Sequence, residues 1–339
     1  MSVSTTLASI SSISNALVQR KISALVGSIV ADAAALHLEW VYDQDALDKT
    51  VDGKDPEFWP ESKCPFYTRP NGAISCYADE IVTSLESMSK NSNQFLLPKV
   101  YEDINAKFGA PDSPYQVALA KRKDKKYPIE GPWINGGVIK FLENHEKSIN
   151  PPGSPNCEDH DGIAIALPWI IQSSSSPDLP WKCLKEGVEI LSTNQMALNH
   201  YEVESALLYG ALHPELVSDP IAKVKAQFQD KYPDIVEEIK AVENGKASGM
   251  TVKQLVKEFG LACSLPGSFQ GALSSIIGAT SYKDAIRENI MAGGDSCSRG
   301  LIIGAYLGAK FGIDGIPVDW LDKVDNIEKI LLEAKNIFS

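Results

Sequence analysis

Cysteine is scarce in this chain and follows no pattern. Its six cysteines, at 64, 76, 157, 183, 263 and 297, form no Cys-x-x-Cys, which excludes a structural zinc site and a disulfide framework of the small secreted kind. Positive charge is in deficit. With 32 Lys and Arg against 44 Asp and Glu the net charge is −12, so long-range electrostatics oppose nucleic acid and anionic membranes as partners. No apolar run reaches the ~18 residues of a membrane span, and no membrane partner is expected. The first 19 residues carry no charged side chain, and Arg20-Lys21 follow them. That is the reverse of a secretory signal. A flexible arm over residues 1–20 and a cytoplasmic location are expected. Strand patterning is also lacking, since no segment alternates polar and apolar residues convincingly.

What is present is helical. At 339 residues, 44% apolar and 22% charged, the chain can bury a large core. Segment after segment repeats at three- and four-residue steps. The expectation is an all-α protein, a single compact many-helix domain over residues 21–339. The first such helix runs from about Ile22 to Trp40, with Leu25, Ile29, Ala33, Leu36 and Trp40 on one face. Gly27, Ala31, Ala34 and Ala35 make another face small. Asp32 and Glu39, seven residues apart, share one side of it. A buried carboxylate is costly unless paired or coordinated; the plain alternative for Asp32 is a solvated position.

Residues 50–75 form a Pro/Gly/aromatic loop, long for a simple connection and therefore a functional candidate. It leads into Ser75-Cys76-Tyr77-Ala78-Asp79-Glu80, the start of a helix. Two acids there complement the helix dipole or hold a hard cation. Gly131-Pro132-Trp133-Ile134-Asn135-Gly136-Gly137 reads as a turn into another helix. Glu158-Asp159-His160-Asp161 is either a ligand set or a solvent-facing loop, and the loop is the expectation.

The densest signal is Gly293-Gly294-Asp295-Ser296-Cys297-Ser298, followed by a helix with Gly300, Gly304 and Gly308 at four-residue steps. Glycine costs a helix roughly 1 kcal/mol relative to alanine, so three imply the close approach of another helix or a ligand. Gly293-Gly294 allow a tight turn. That turn would bring Asp295, Cys297 and Ser298 to a helix N-terminus, where free N–H groups favour anions and caps.

Three blocks resemble the ADP-ribosylglycohydrolase family. Gly27 to Glu39 is similar to its Gly-x-x-x-Gly-Asp-Ala-x-Gly-x-x-x-Glu helix. Tyr77-Ala78-Asp79-Glu80 stands where that family has Tyr-Thr-Asp-Asp. Gly293 to Ser298, with Gly315-Ile316-Pro317-x-x-Trp320 after it, resembles Gly-Gly-Asp-Thr-Asp-Thr and its Ile-Pro-x-x-Trp sequel. The jellyfish J-type crystallin and selenoprotein-related branch is the most similar.

The resemblance implies an all-α domain that binds two Mg²⁺ ions between helices and cleaves ADP-ribosyl or related N- or O-glycosidic bonds. Carried over, Asp79, Glu80, Asp295 and Ser298 are metal ligands, Glu39, Asp79 and Asp295 are catalytic, and Gly293, Gly294, Ser296 and Cys297 line the cofactor. This sequence departs from the pattern at Ala78, Glu80 and Cys297, where threonine, aspartate and a bridging aspartate are usual. A thiol suits Mg²⁺ poorly, so one ion rather than two is expected. The expected partner is a small-molecule or ADP-ribosylated substrate, with no nucleic acid. The alternative is a non-catalytic, crystallin-like structural or nucleotide-sugar-binding protein with a degenerate metal site.

Overall fold

The computed structural model describes residues 2–175 and 181–339, without the side chains of Lys182 and Cys183. Among them, helices follow in the order α1 (Val3–Ser11), α2 (Ala16–Ala35), α3 (Gln44–Val51), α4 (Cys76–Lys90), α5 (Leu97–Ile104), α6 (Pro114–Lys121), α7 (Gly136–Glu146), α8 (Leu167–Ser173) and α9 (Trp181–Val188). Then come α10 (Gln195–Leu212), α11 (Pro220–Phe228), α12 (Pro233–Ala247), α13 (Val252–Phe259) and α14 (Gly267–Ile276). The last four are α15 (Tyr282–Ala292), α16 (Ser296–Phe311), α17 (Val318–Leu321) and α18 (Ile327–Phe338). The described strand structure is one parallel pair of two-residue strands, β1 (Tyr67–Thr68) and β2 (Ile129–Glu130). The all-α expectation holds, and the helices enclose one large core with a small separate cluster at Val252, Val256 and Ala292.

Helices α2 and α16 are its axis. A methyl group added at Gly304 would lie 2.3 Å from the Gly27 carbonyl oxygen, and one at Gly308 would lie 2.2 Å from that of Ser23. The two backbones touch, and only glycine permits this. Gly300 has no such role, because its added methyl would find its first neighbour at 3.6 Å. Helix α2 is long and apolar enough to cross a membrane by length and composition, yet its apolar window is wholly buried inside the protein. It is the core helix.

Two features differ from expectation. Where an arm is expected, residues 2–20 carry helical structure: Ser2 caps α1, whose Val3, Thr6 and Ile10 are buried, and α2 already begins at Ala16 under an Asn15 cap. The 158–162 segment is not a solvent-facing loop either, since it leads into a buried 3-10 segment, His160–Ala166.

Candidate active site

The site begins with Asp32, buried in the middle of α2. Its carboxylate accepts the Ser75 backbone N–H at 2.7 Å and the Ser75 hydroxyl at 2.5 Å. Ser75 in turn caps α4 through the Tyr77 N–H. Asp32 therefore fixes where α4 starts relative to α2, and the solvated alternative is wrong. Burial is the main cause that pushes its carboxyl up to about 7.

The turn before α16 is fixed by backbone bonds. Gly293 and Gly294 both have positive φ, 75° and 66°. Trp40 N–H donates to the Gly294 carbonyl at 2.8 Å, Gly294 N–H to Val41 at 2.9 Å, and Asp295 N–H to Leu261 at 2.7 Å. A methyl at Gly294 would strike the Leu261 oxygen at 2.1 Å. Behind the turn lies the fully buried Arg299, which donates to the Gly293 carbonyl at 2.5 Å and to Asn289 Oδ1 at 2.9 Å. Burial lowers this guanidinium to about 10. Asp295 is thereby delivered to the N-cap of α16, where it accepts the Ser298 N–H. It also accepts the Tyr77 hydroxyl at 2.8 Å and a hydrogen bond from the Trp40 side chain. The starts of α4 and α16 do meet, across more than 200 residues of sequence.

Between them opens a cleft of about 320 Å³. Its walls are Trp40, Tyr42, Phe66, Tyr77, Tyr127 and Trp133, and its polar floor is Asn135, Asp159, Asp161, Cys263 and Asp295. Trp40 sits at the centre of the aromatic wall, with edge contacts to Phe66, Tyr67 and Trp133 at centroid distances of 5.3–5.5 Å. Its φ of 59° is left-handed, a conformation that costs energy in a bulky residue and often marks a functional site. Arg122 stacks on Trp133 at 3.7 Å. None of the lining residues is basic.

Behind the floor lie acids without full hydrogen bonding. Glu39 is fully buried. Its Oε2 accepts the Tyr67 hydroxyl at 2.5 Å, while Oε1 has no donor. The Asp295 carboxyl is its neighbour, and two neighbouring buried carboxyls resist ionising together. Burial first, then the charge of Asp295, raises Glu39 well above the usual carboxylate range. Burial also raises Asp295, against the hydrogen bonds from Trp40 and Tyr77. Glu80 and Asp161 share Asn135, whose Nδ2 donates to Glu80 Oε1 at 2.5 Å and to Asp161 Oδ2 at 3.1 Å. The remaining oxygens, Glu80 Oε2 and Asp161 Oδ1, have no partner. Burial raises both acids, seconded by Asp161 for Glu80 and by Asp159 for Asp161.

Asp79 does not join this group. Neighbours on a helix diverge by ~100°, and Asp79 points away to an Arg69 guanidinium at 2.9 Å, the Lys107 ammonium at 3.0 Å and the Tyr115 hydroxyl at 2.5 Å. Two cations already neutralise it. Cys297 is fully buried, with its thiol 3.4 Å from the Asp32 carbonyl. Mg²⁺ takes oxygen ligands in near-octahedral geometry. The set Asp79, Glu80, Asp295 and Ser298 therefore does not fit that ion: one member is committed to two cations, and a sulfur stands beside the rest. Gly293, Gly294, Ser296 and Cys297 are buried among protein atoms, and none lines the cleft. They form the turn and its packing rather than a cofactor cradle. Ser298 is buried too, and its hydroxyl has no partner.

Sequence reasoning missed Asp159, Asp161 and Cys263 as floor residues and Trp40, Tyr42 and Tyr127 as walls. A signal existed only for the acids, which flank His160. That histidine turns away from the cleft to Glu204 on α10, Nε2 to Oε1 at 2.5 Å, with both residues fully buried.

Known proteins resemble this chain in sequence or in fold. Crystallin J1A of Tripedalia cystophora is 27% identical over 325 residues, covering 93% of this chain and 95% of the crystallin. Crystallin J1B of the same animal is 26% identical with the same coverage. A solved structure described as an ADP-ribosylglycohydrolase-related protein complex superposes with a TM-score of 0.62 at 17% identity, covering 95% of this chain and 98% of the other. That likeness is one of fold. The family model of the ADP-ribosylglycohydrolases matches residues 14–338, and with that span the chain belongs to the ADP-ribosylglycohydrolase family.

Proposed function

We propose that this protein hydrolyses the N- or O-glycosidic bond of an ADP-ribosyl group or a related ribosyl glycoside in the aromatic cleft. The observation that carries this is the Glu39–Asp295 carboxyl pair at its base. Neighbouring buried carboxyls resist ionising together, so the pair retains a proton above the usual carboxylate range. The pair acts as one proton donor, with Asp295 lining the cleft and Glu39 buried behind it. Asp295 gives the proton to the leaving nitrogen or oxygen as its bond to the sugar carbon breaks; a water molecule bonds to that carbon and returns one proton to the carboxyl pair. The acidic floor favours the positive charge that develops on the sugar carbon, and the indole and phenol rings stack on the base or leaving group. Because no basic residue lines the floor, the ribosyl end enters the cleft and a diphosphate stays outside.

The test is release of free ribose or ADP-ribose from an N-linked and an O-linked ADP-ribosyl amino acid and from an uncharged nucleoside, each with and without chelator. Asp295→Asn keeps the α16 cap, because an amide oxygen also accepts the Ser298 N–H. It is expected to lower turnover by about 10²-fold or more with the melting temperature retained. Substrate binding with no turnover by the parent protein on any of the three would overturn the assignment. It would leave the second reading, a non-catalytic ligand-binding or structural role. That reading is favoured by the commitment of Asp79 to Arg69 and Lys107.

A further inference from the structure

The floor of the cleft contains a second constellation that the proton-donor pair does not use. One ligand atom each from Asp159, Asp161 and Cys263 lie within 4.8 Å of one another. They come from two loops that the backbone locks together: His160 N–H donates to the Cys263 carbonyl at 2.8 Å, and Leu265 N–H to the Glu158 carbonyl at 2.9 Å. Asp159 and Ser264 form an antiparallel bridge. The side chains therefore meet because the main chain is fixed, and not because they attract one another.

Two other buried acids have cations, Arg69 and Lys107 for Asp79 and Arg287 for Glu57. Among the described residues no ion pair reaches Asp159 or Asp161. Asp161 is 4% exposed, lines the cleft, and its Oδ1 has no hydrogen-bond partner. Asp159 Oδ1 has the Cys263 thiol at 3.1 Å. Of the five described free cysteines, Cys263 is the one not buried.

We propose that Asp159, Asp161 and Cys263 bind a single borderline divalent cation of the zinc type, with a further coordination position open to the cleft. A thiolate beside two carboxylates suits such an ion and not Mg²⁺. Three protein ligands and one open position are the arrangement of zinc sites that meet an exogenous ligand. On binding, the Cys263 Sγ–H bond breaks, its proton goes to solvent and the sulfur pair bonds the metal; no electron is transferred. Three anionic ligands and a dication sum to −1, so the floor keeps its negative sign. Cys263, which looks like a stray thiol in sequence, becomes a ligand, and the unpartnered Asp161 oxygen gains its partner.

The experiment uses the full-length chain, reduced and stripped of metal, with no substrate, so that its outcome is independent of the hydrolase assignment. Zn²⁺ is titrated in competition with a chromophoric chelator, and Co²⁺ is added separately to read thiolate-to-cobalt charge transfer in the near ultraviolet. One equivalent of Zn²⁺ and a charge-transfer band are expected. Cys263→Ser should abolish the band and weaken Zn²⁺ by about tenfold or more, as losses even of outer-shell partners do. Asp161→Asn should keep the band and weaken both ions, and Cys64→Ser, at a buried free cysteine outside the cluster, should leave both signals unchanged. Asp161→Asn also keeps the assignment falsifiable if Cys263→Ser does not fold, because it removes an oxygen ligand without removing the thiol. Absence of a band in the parent, a band that survives Cys263→Ser, unchanged Zn²⁺ affinity in Asp161→Asn, or a band lost with Cys64→Ser overturns the site.

Discussion

The contact between α2 and α16 sets a sharp test, because two glycines on one helix face should respond to the same substitution with opposite signs. Alanine is worth about 1 kcal/mol more than glycine in a helix interior. At Gly300 the added methyl meets its first neighbours, the Ala31 backbone, at 3.6 Å, which is ordinary contact. Gly300→Ala should therefore stabilise the protein by up to about 1 kcal/mol. At Gly304 the methyl would sit 2.3 Å from the Gly27 oxygen and 2.8 Å from the Ala31 methyl. The first obstacle is main chain and cannot rotate aside, so α2 and α16 must separate by about 1 Å. Overpacking of this kind costs typically 1–3 kcal/mol, occasionally more. A gap of 1 Å along the axis forfeits dispersion over its whole length, which places the cost at the upper end. The net expectation is a loss of about 2 kcal/mol for Gly304→Ala and a difference of about 3 kcal/mol between the variants. Urea unfolding of parent and both variants, compared at equal slope, measures it. Equal stability of the two variants would refute the close-approach argument for α16.

Stability should also depend on pH in a direction unusual for an acidic protein. Asp32 rises from 3.8 to about 7 on folding, so its contribution is complete below pH 4 and is lost as pH climbs through 7. The difference corresponds to about 4 kcal/mol, and Asp32→Asn should flatten denaturant midpoints measured between pH 4 and 8 by that share. Cys297→Asp would place another carboxyl against the Asp32 carbonyl, near Glu39 and Asp295. It should cost roughly 3–5 kcal/mol at neutral pH, and added Mg²⁺ should not restore the melting temperature because Asp79 is already paired. Recovery with Mg²⁺ would show that a hard-cation centre exists. Arg69→Met removes one of the two cations on Asp79 and should cost about 1.5–3 kcal/mol. A double-mutant cycle with Asp79→Asn should recover most of that loss.

The all-α class and the glycine-faced helix were legible in the sequence because each rests on local periodicity, whereas the meeting of α4 with α16 was implied only by the family resemblance. Gly300, Gly304 and Gly308 announced a close approach, and the structure places the last two, not Gly300, against the α2 backbone. Asp32 stood out because a carboxylate within an alanine-rich face needs a partner. The spacing could not tell which way each acid points. Asp79 and Glu80 are adjacent in sequence, and helical geometry sends one to Arg69 and Lys107 and the other to Asn135. Arg69 lies on the loop after α3 and Lys107 on the π-helical segment after α5, so the neutralisation of Asp79 exists only once those elements pack. The aromatic cleft was hidden for the same reason. Trp40 continues the apolar period of α2 and reads as core, and only the left-handed turn at Trp40 brings it into the wall. Asp159 and Asp161 lie about 100 residues before Cys263, and backbone bonds between the two segments join them. Sequence periodicity carries no information about such bonds, so the tertiary structure alone decided what lies on the floor of the site.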